Sequence, residues 1–483
     1  MNSQKVTSNL IWRFLERCGA QGVTFIVSVV LARLLDPQTY GIIALVTVFT
    51  SILQVFVDGG LGSALIQKKD VDDLDFSTVF YCNCVFCFIL YGLIFLLAPL
   101  IETFYEIEGL TEIVRVLSLT IVISGVKGVQ QAYVSRNMIF KRFLYSTLGG
   151  TIGAGIVGIL LAYYGFGAWA LVAQYLFNML VDTFILWITV KWRPKLMFSF
   201  KRLKKLFGYG WKILISNLIN TTYNDLRQLL IGKVYTTEEL AFFNKGQQFP
   251  SLIVTNINTS IDSVLLPTMA KEQDDIYRIK TMTRRAIKIS SYLMWPLMIG
   301  LAACAEPLIR LVLTEKWIPC VFYLRIYCIS FAFYPIHTAN LNAIKAIGRS
   351  DLYLRLEIIK KVIGLFLLFS TLWISVKALA VSLLISNIIS QIVNSWPNRK
   401  LLSYSYLEQV RDIVPNIGLA AIMGAVVWIV GLMKMNNLTM LIVQIIVGMI
   451  TYIGLSAITK NDDFLYIYEI VRKYILRKGK CEK

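Results

Sequence analysis

The feature that most constrains this chain is a series of apolar segments, each about 20 residues long. A helical segment of this length spans the roughly 30 Å hydrocarbon core of a bilayer. Inside that core a helix satisfies its own backbone hydrogen bonds, so the segments predict an all-α integral membrane protein. Fourteen membrane-spanning helices are predicted, at residues 10–34, 40–58, 76–100, 112–134, 144–163, 167–190, 207–231, 240–266, 286–304, 320–343, 356–376, 378–395, 414–433 and 438–458.

The composition supports a membrane protein and excludes the main soluble classes. Charged residues make up 16% of the chain, against about 25% in soluble domains, and hydrophobic residues make up 57%. The 8 cysteines among 483 residues are too sparse for a disulfide-stapled scaffold. In so apolar a chain the net charge of +19 indicates basic loops facing anionic membrane lipids, and no nucleic-acid partner is predicted.

Basic residues are distributed unevenly between the two sides of the predicted membrane. If the N-terminus is cytoplasmic, the cytoplasmic segments contain 31 Lys and Arg residues and the outer segments contain 5. The positive-inside rule therefore places both termini in the cytoplasm. The longest outer loops, near 100–111 and 305–319, are too short for an outer catalytic domain.

A faint internal repeat predicts two lobes. Residues 31–35, after the first predicted helix, resemble residues 231–235, after the seventh. Six helices separate the copies, so both copies have the same orientation in the membrane, and such repeats place a substrate site between lobes near the midplane. We therefore predict two pseudo-symmetric six-helix lobes, at 1–195 and 196–400, followed at 401–483 by two C-terminal helices and a basic cytoplasmic tail.

Polar side chains recur every three or four residues along the first two predicted helices of each lobe. This spacing places them on one face of each helix. Such a face either hydrogen-bonds to other helices or lines a hydrated cavity. The members are Arg13, Glu16, Arg17, Gln21, Thr24 and Ser28; Thr47, Ser51, Gln54 and Asp58; Lys212, Ser216, Asn220, Asn224 and Arg227; and Asn244, Gln248, Ser251, Thr255, Asn258 and Asp262.

The arginines favour a ligand over helix packing alone. The guanidinium groups of Arg17 and Arg227 keep their charge and therefore need an anion or water. Internal pairing is the competing interpretation, since Glu16 is close in sequence to Arg13 and Asp225 is close to Arg227. The predicted spans contain more basic than acidic residues, which leaves positive charge for an anionic ligand.

Motifs for enzymatic chemistry are missing from the sequence. It has no phosphate-binding loop, no nucleophile elbow and no zinc-protease helix, so we predict neither an enzyme nor a cofactor. Cys82, Cys84 and Cys87 lie in an apolar segment without a nearby histidine, so no metal site is predicted. His337, the single histidine, follows Pro335 and is interpreted as a hydrogen-bonded structural group.

Four motifs carry a family resemblance that extends from about residue 5 to 400. They are LARLLDP followed by YG at 31–41, DGGLGSALIQ at 58–67, AEPL followed by EKW at 305–317, and AIGRSD at 346–351. With these motifs the sequence resembles the polysaccharide-exporter branch of the multidrug/oligosaccharidyl-lipid/polysaccharide (MOP) flippase superfamily. It departs from the common family form at 241–243, where Ala-Phe-Phe replaces a Gly-Tyr-Tyr type of turn.

The resemblance implies a function and a location. Such a protein lies in the bacterial inner membrane and moves undecaprenyl-pyrophosphate-linked oligosaccharide from the cytoplasmic to the periplasmic leaflet by alternating access. The product would be an O-antigen, a capsule or an exopolysaccharide. An ion-coupled drug exporter of the same superfamily is one alternative, for which an acidic cavity is expected. A membrane polymerase or ligase of lipid-linked sugars is the other, and it usually needs a larger outer loop.

The resemblance also gives the polar residues expected roles. Arg13, Arg17 and Arg227 are expected to bind pyrophosphate, because arginine forms charge-assisted bonds to phosphate. Coupling to a proton or a sodium ion is expected at Glu16, Asp225 or Asp262. The residues expected to contact sugar or line the cavity are Gln21, Gln54, Asn220, Tyr223, Asn224, Gln248 and Asn258.

Overall fold

The computed structural model describes residues 3–58, 60–68, 70–469 and 472, except for the side chains of residues 3–11, 13–17, 58 and 209. Every regular element in this part of the chain is helical, which confirms the all-α prediction. Nine of the described helices are long and apolar enough to cross a membrane. These nine correspond to nine of the fourteen predicted spans. The other five, at 10–34, 112–134, 207–231, 240–266 and 356–376, are also helical but do not meet that standard, so the count of fourteen stays a prediction.

The first compact unit comprises Met1–Ala241. The predicted lobe boundary at 195 rests on the sequence repeat and stays a prediction. The helices of this unit are α1 (Ser3–Leu34), α2 (Pro37–Asp58), α3 (Leu61–Gln67), α4 (Asp73–Tyr105), α5 (Leu110–Leu117), α6 (Leu119–Arg136), α7 (Lys141–Tyr163), α8 (Ala168–Thr189) and α9 (Phe200–Val234).

The second compact unit comprises Phe242–Lys483, and α10 crosses the boundary between the units. A 3₁₀ turn at Glu315–Trp317 separates α12 from α13. The helices are α10 (Thr237–Lys271), α11 (Ile276–Ala303), α12 (Ala305–Val312), α13 (Cys320–Ala332), α14 (Tyr334–Ala346), α15 (Ser350–Thr371), α16 (Val376–Ser395), α17 (Asn398–Leu401), α18 (Tyr406–Val430) and α19 (Asn437–Ile458).

The segment between α8 and α9 is fixed to α4, which sets where α9 begins. Trp192 is buried against the Phe76 ring. The backbone N–H groups of Lys195 and Ser199 donate to the hydroxyls of Ser77 (3.0 Å) and Thr78 (3.2 Å). The Ser199 side chain then caps the first turn of α9. The connection 190–199 is therefore anchored to α4.

Two close contacts in the first unit are made by bare backbone. Near the start of α9, a Cβ added to Gly210 would lie 2.8 Å from the carbonyl carbon of Gly60. At the start of α10, the carbonyl oxygen of Thr237 occupies the place that a Cβ of Gly41 in α2 would need, at 1.7 Å. Glycine is required at both contacts because any side chain would overlap backbone atoms.

The core of the second unit combines apolar packing with a buried polar network. Asn340 of α14 donates to Gln409 Oε1 of α18 (2.9 Å) and accepts from Asn398 Nδ2 (2.6 Å). Nδ1 of His337 lies 3.1 Å from Nδ2 of Asn394, so the histidine is hydrogen-bonded as interpreted from the sequence. Pro335 lies in the first turn of α14, where a missing N–H does no harm, and α13 and α14 together form one interrupted span.

Candidate functional site

One face of α9 is polar and open. Lys212, Ser216, Asn220 and Asn224 recur every fourth residue and are exposed in the structure. Tyr223 and Arg227, on the same helix, are half-buried. A long helix with an uncovered polar face suits the wall of a hydrated cavity better than a lipid-facing surface.

Helix α2 contacts α9 through the second polar stripe. Ser51 of α2 donates a hydrogen bond of 2.6 Å to Oδ2 of Asp225, and both side chains are half-buried. This bond joins the carboxylate to a serine 174 positions earlier in the chain. Gln54, one turn beyond Ser51, is also half-buried.

The structure does not describe the side chains of three predicted site residues in α1. The backbone of Arg13, Glu16 and Arg17 is helical within α1, but their side chains lie outside the described residues. The same is true of the Asp58 side chain. Gln21, one turn beyond Arg17, is described and half-buried.

The polar stripe of α10 lies mostly in the second unit. Unlike the stripe of α9, its residues differ from one another in burial and in hydrogen bonding. Gln248 accepts a hydrogen bond of 3.1 Å from Nζ of Lys245, a lysine that is only 5% exposed and lies 5.6 Å from the Trp317 ring centre. Asn258 is half-buried, and its Oδ1 has no hydrogen-bond partner among the described residues. Asp262 is exposed and accepts from Asn342 Nδ2 at 2.7 Å.

An apolar cavity of about 500 Å³ lies between α11, α18 and α19. Gly448 of α19 lines it and lets α19 pack closely on α18, since an added Cβ would lie 3.2 Å from Val427. Sequence reasoning did not identify this cavity. Composition does not distinguish an apolar helix face that lines a cavity from an apolar face that contacts lipid. Its other lining residues include Leu293, Leu297, Met423, Ile445 and Met449.

Sequence reasoning also missed an ion pair inside the first unit. Lys127 of α6 lies 3.0 Å from Asp182 of α8. The signal was present in the sequence, since each residue is a charge inside a predicted span, at 112–134 and 167–190. Charged residues inside membrane spans are rare and usually functional.

The end of α9 is tied to the end of α4 by an exposed ion pair. Lys233 Nζ lies 2.9 Å from Glu106 Oε1 and above the Phe104 ring. The hydrogen bond from Lys233, together with its positive charge, lowers the pKa of the Glu106 carboxyl. Because the folded-state pKa is depressed, the contact stabilises the structure fully above the ordinary glutamate pKa of about 4.3, and this contribution is lost as the pH falls through the lowered folded-state pKa.

This pair gives a pH prediction for stability. We expect Glu106→Gln to lower the melting temperature slightly, by an amount that is constant from pH 5 to 8. The difference from the wild type should shrink as the pH falls below the ordinary glutamate pKa of about 4.3 and vanish only below the lowered pKa of the wild-type carboxyl. Thermal melting of both proteins across this range measures it. A difference that changed between pH 6 and 8 would contradict the assignment of Lys233 as the partner.

Comparisons of the sequence identify relatives in polysaccharide production. A family model described as polysaccharide biosynthesis protein matches residues 30–322, more than half of the chain. The succinoglycan biosynthesis transport protein ExoT of Rhizobium meliloti is 24% identical over 66% of this chain and 64% of its own length. The teichuronic acid biosynthesis protein TuaB of Bacillus subtilis is 27% identical over 63% of each protein. The chain thus spans slightly less than two thirds of these two relatives.

Solved structures share the fold. The lipid II flippase MurJ, in an inward closed conformation, matches with a TM-score of 0.74 at 16% identity, covering 94% of this chain and 99% of that one. An inward-facing multidrug resistance MATE family transporter of the MOP superfamily matches with a TM-score of 0.64 at 16% identity, covering 79% and 94%. These likenesses show a shared fold, and the apolar helices agree with a multi-pass membrane protein.

Proposed function

The chain belongs to the polysaccharide biosynthesis protein family, and from this membership we propose that it is a flippase for lipid-linked oligosaccharide. It moves an undecaprenyl-pyrophosphate-linked repeat unit from the cytoplasmic to the periplasmic leaflet of a bacterial inner membrane. The repeat units then enter an O-antigen, a capsule or an exopolysaccharide. The protein carries out no chemical step, and both of its termini are cytoplasmic.

The observation that carries this proposal is the open polar face of α9. A flippase must give a hydrated path to sugar and pyrophosphate that the hydrocarbon core excludes. The exposed side chains of Ser216, Asn220 and Asn224 offer hydrogen bonds along several turns of one helix. Alternating access of two six-helix lobes, at 1–195 and 196–400, exposes this path to each side in turn.

We assign the pyrophosphate to Arg13, Arg17 and Arg227. The diphosphate carries several anionic oxygens, and each guanidinium can bind two of them in a fork. Proton or sodium coupling is assigned to Glu16, Asp225 or Asp262. The sugar is assigned to Gln21, Gln54, Asn220, Tyr223, Asn224, Gln248 and Asn258.

The apolar cavity between α11, α18 and α19 supports a lipid-linked substrate. It is lined almost entirely by hydrocarbon and aromatic side chains, which suit a prenyl chain and not a sugar. We assign this cavity to the prenyl chain of the substrate.

Reconstitution tests the proposal directly. Purified protein is placed in liposomes that contain a fluorescent undecaprenyl-pyrophosphate oligosaccharide in both leaflets, and a membrane-impermeant quencher is added outside. Without flipping, only the outer pool is quenched. With the protein, we expect the inner pool to become accessible as well. Fluorescent phosphatidylcholine in parallel liposomes is the control and should remain protected.

Two outcomes would overturn the assignment. Equal exchange of the phosphatidylcholine would indicate a nonspecific scramblase. No exchange of the oligosaccharide lipid, together with ion-driven uptake of a cationic dye, would support the drug exporter instead.

A further inference from the structure

A polar pocket of about 300 Å³ lies between α11 and the residues that follow α19. The predicted spans begin at 286 in α11 and end at 458 in α19, so the pocket lies where both helices leave the hydrocarbon core. The proposed topology places this level at the cytoplasmic surface, among the lipid headgroups. The lining residues include Arg284, Arg285, Lys288, Asp462, Asp463 and Tyr466.

Two cations of the polar pocket have unused hydrogen-bond donors. Arg285 is exposed, and its guanidinium lies over the Tyr466 ring, 4.5 Å from the ring centre. Lys288 Nζ lies 3.7 Å from Oδ2 of Asp462 and 3.7 Å from Oδ1 of Asp463, too far for a hydrogen bond. Within the described residues, neither the Arg285 guanidinium nor the Lys288 ammonium donates a hydrogen bond. Both groups can therefore bind a ligand without giving up a hydrogen bond in the protein.

The two carboxylates of the polar pocket differ in what they can still bind. Asp463 is only 7% exposed, and its Oδ2 accepts a hydrogen bond of 2.9 Å from Asn416. The Asp462 side chain is 87% exposed and accepts no hydrogen bond from the described part of the chain. Asp463 is thus held by the protein itself, whereas Asp462 presents its carboxylate to a ligand.

The charges around the polar pocket balance. Arg284 is bound by Asp412, which accepts from its Nε at 2.7 Å and its Nη2 at 2.6 Å. The cations and carboxylates are then equal in number: Arg284, Arg285 and Lys288 against Asp412, Asp462 and Asp463. A ligand that is only anionic is attracted by one set and repelled by the other. A ligand with a negative and a positive group is attracted by both sets.

The polar pocket continues into the apolar cavity along one face of α11. Arg285 and Ile289 line the pocket, and Leu293 and Leu297, at the same spacing of four residues, line the cavity. Each step of four residues is about 6 Å along the helix. Leu293 and Leu297 are 44% and 48% exposed, so the cavity is open to lipid. A ligand that fits both spaces is polar at the membrane surface and apolar below it.

We propose that the polar pocket binds the phosphoethanolamine headgroup of a phospholipid, and that an acyl chain of the same molecule extends into the apolar cavity. The phosphate accepts charge-assisted hydrogen bonds from Arg285 and Lys288. The primary ammonium donates to the Asp462 carboxylate. Basic pockets between membrane helices on the cytoplasmic side commonly bind lipid headgroups, and the exposed carboxylate adds selectivity for the zwitterion.

The shared cavity gives this site a regulatory consequence. The prenyl chain of the substrate is assigned to the same cavity, so the phospholipid and the substrate exclude each other there. The phospholipid fills the cavity between transport cycles, and the arriving substrate displaces it. This consequence rests on the proposed function, whereas the headgroup site itself does not.

Native mass spectrometry of the purified full chain in detergent tests the site. The probes are phosphatidylethanolamine, phosphatidylcholine and phosphatidylglycerol with identical acyl chains. The choline group has no N–H to donate, and the glycerol headgroup has no cation. Because one charge-assisted hydrogen bond is at stake, we expect the wild type to bind phosphatidylethanolamine at least about tenfold more tightly than either other lipid.

Variants assign the two halves of the headgroup. Asp462→Asn keeps the shape of an exposed side chain but removes its charge, so the preference for phosphatidylethanolamine should fall at least about tenfold. Arg285→Gln with Lys288→Gln should weaken binding of phosphatidylethanolamine at least about tenfold. Arg399→Gln with Lys400→Gln is the matched control, since it removes an arginine and a lysine that are exposed on α17, and it should bind like the wild type.

A further variant guards against misfolding. Lys288 lies beside the buried Asp463, so its replacement can disturb the local structure. Arg285→Gln alone leaves that contact intact and should still weaken binding of phosphatidylethanolamine severalfold. The melting temperature of each variant, measured without added lipid, verifies folding.

The outcomes separate the two proposals. No preference among the lipids in the wild type, or a preference that survives in both Asp462→Asn and Arg285→Gln, overturns the site. Equal binding of phosphatidylglycerol and phosphatidylethanolamine overturns the assignment of Asp462 to the ammonium. Undecaprenyl-pyrophosphate oligosaccharide is then added to the lipid-bound wild type, and we expect it to release the phospholipid. If the phospholipid binds as expected but is not released, the headgroup site stands and the assignment of the cavity to the prenyl chain fails.

Discussion

Replacing Arg17 and Arg227 together by alanine is expected to slow leaflet exchange by at least about 100-fold. Each guanidinium is assigned charge-assisted hydrogen bonds to the pyrophosphate, and such bonds contribute roughly 1.5–3 kcal/mol each. Every 1.36 kcal/mol corresponds to a factor of about ten in rate. The loss of one such bond at each of the two arginines therefore gives the minimum slowing of about 100-fold. The initial rate of quenching in liposomes measures the effect, and the melting temperature of the purified variant verifies folding.

Two control variants separate charge from geometry. Arg17→Lys with Arg227→Lys keeps both positive charges but loses the planar fork, so we expect an intermediate rate. Arg399→Ala with Lys400→Ala removes two exposed positive charges from α17 and should leave the rate near that of the wild type. A double alanine variant that keeps more than half of the wild-type rate would contradict the anion site.

Gly41→Ala is expected to break the contact between the starts of α2 and α10. The added Cβ would lie 1.7 Å from the Thr237 carbonyl oxygen and 2.4 Å from its carbon, and neither atom can rotate away. Relieving an overlap of this kind costs about 1–3 kcal/mol. That cost lowers the population of the described conformation by roughly tenfold or more.

Thiol labelling measures this shift. Ile231 is fully buried near the end of α9, so a cysteine placed there should react slowly while α9 stays packed. Added to this reporter, Gly41→Ala should raise its labelling rate about tenfold, as followed by mass spectrometry of the peptide that contains it. Gly22→Ala and Gly92→Ala are matched controls, because an added Cβ meets nothing within 4 Å at either position. Labelling at the wild-type rate in Gly41→Ala would show that the contact is dispensable.

The apolar helices were the most predictable part of the fold. Nine predicted spans are apolar helices in the structure. They were predictable because the length and hydropathy of a span can be read from one continuous segment of the sequence. The polar helices α1, α9, α10 and α15 were also predicted as helices. Their position in the membrane depends on which segments cover each helix face, and those segments are distant in the sequence.

The contacts of the candidate site were less predictable. The spacing of Lys212, Ser216, Asn220 and Asn224 did identify an open face of α9. The bond of Asp225 to Ser51 joins helices that are 174 residues apart in sequence, so no local pattern could reveal it. Lys127 and Asp182 could have been noticed, since a charge inside an apolar span is costly wherever its partner lies.

The contact of α9 with Gly60 has a kinetic consequence. Interlocked side chains must change rotamers before two packed surfaces can slide, which raises the activation barrier. Where Gly210 meets Gly60, backbone lies against backbone. The start of α9 can therefore shift along this contact without a rotamer change there, whereas the end of α9 must first release Lys233 from Glu106.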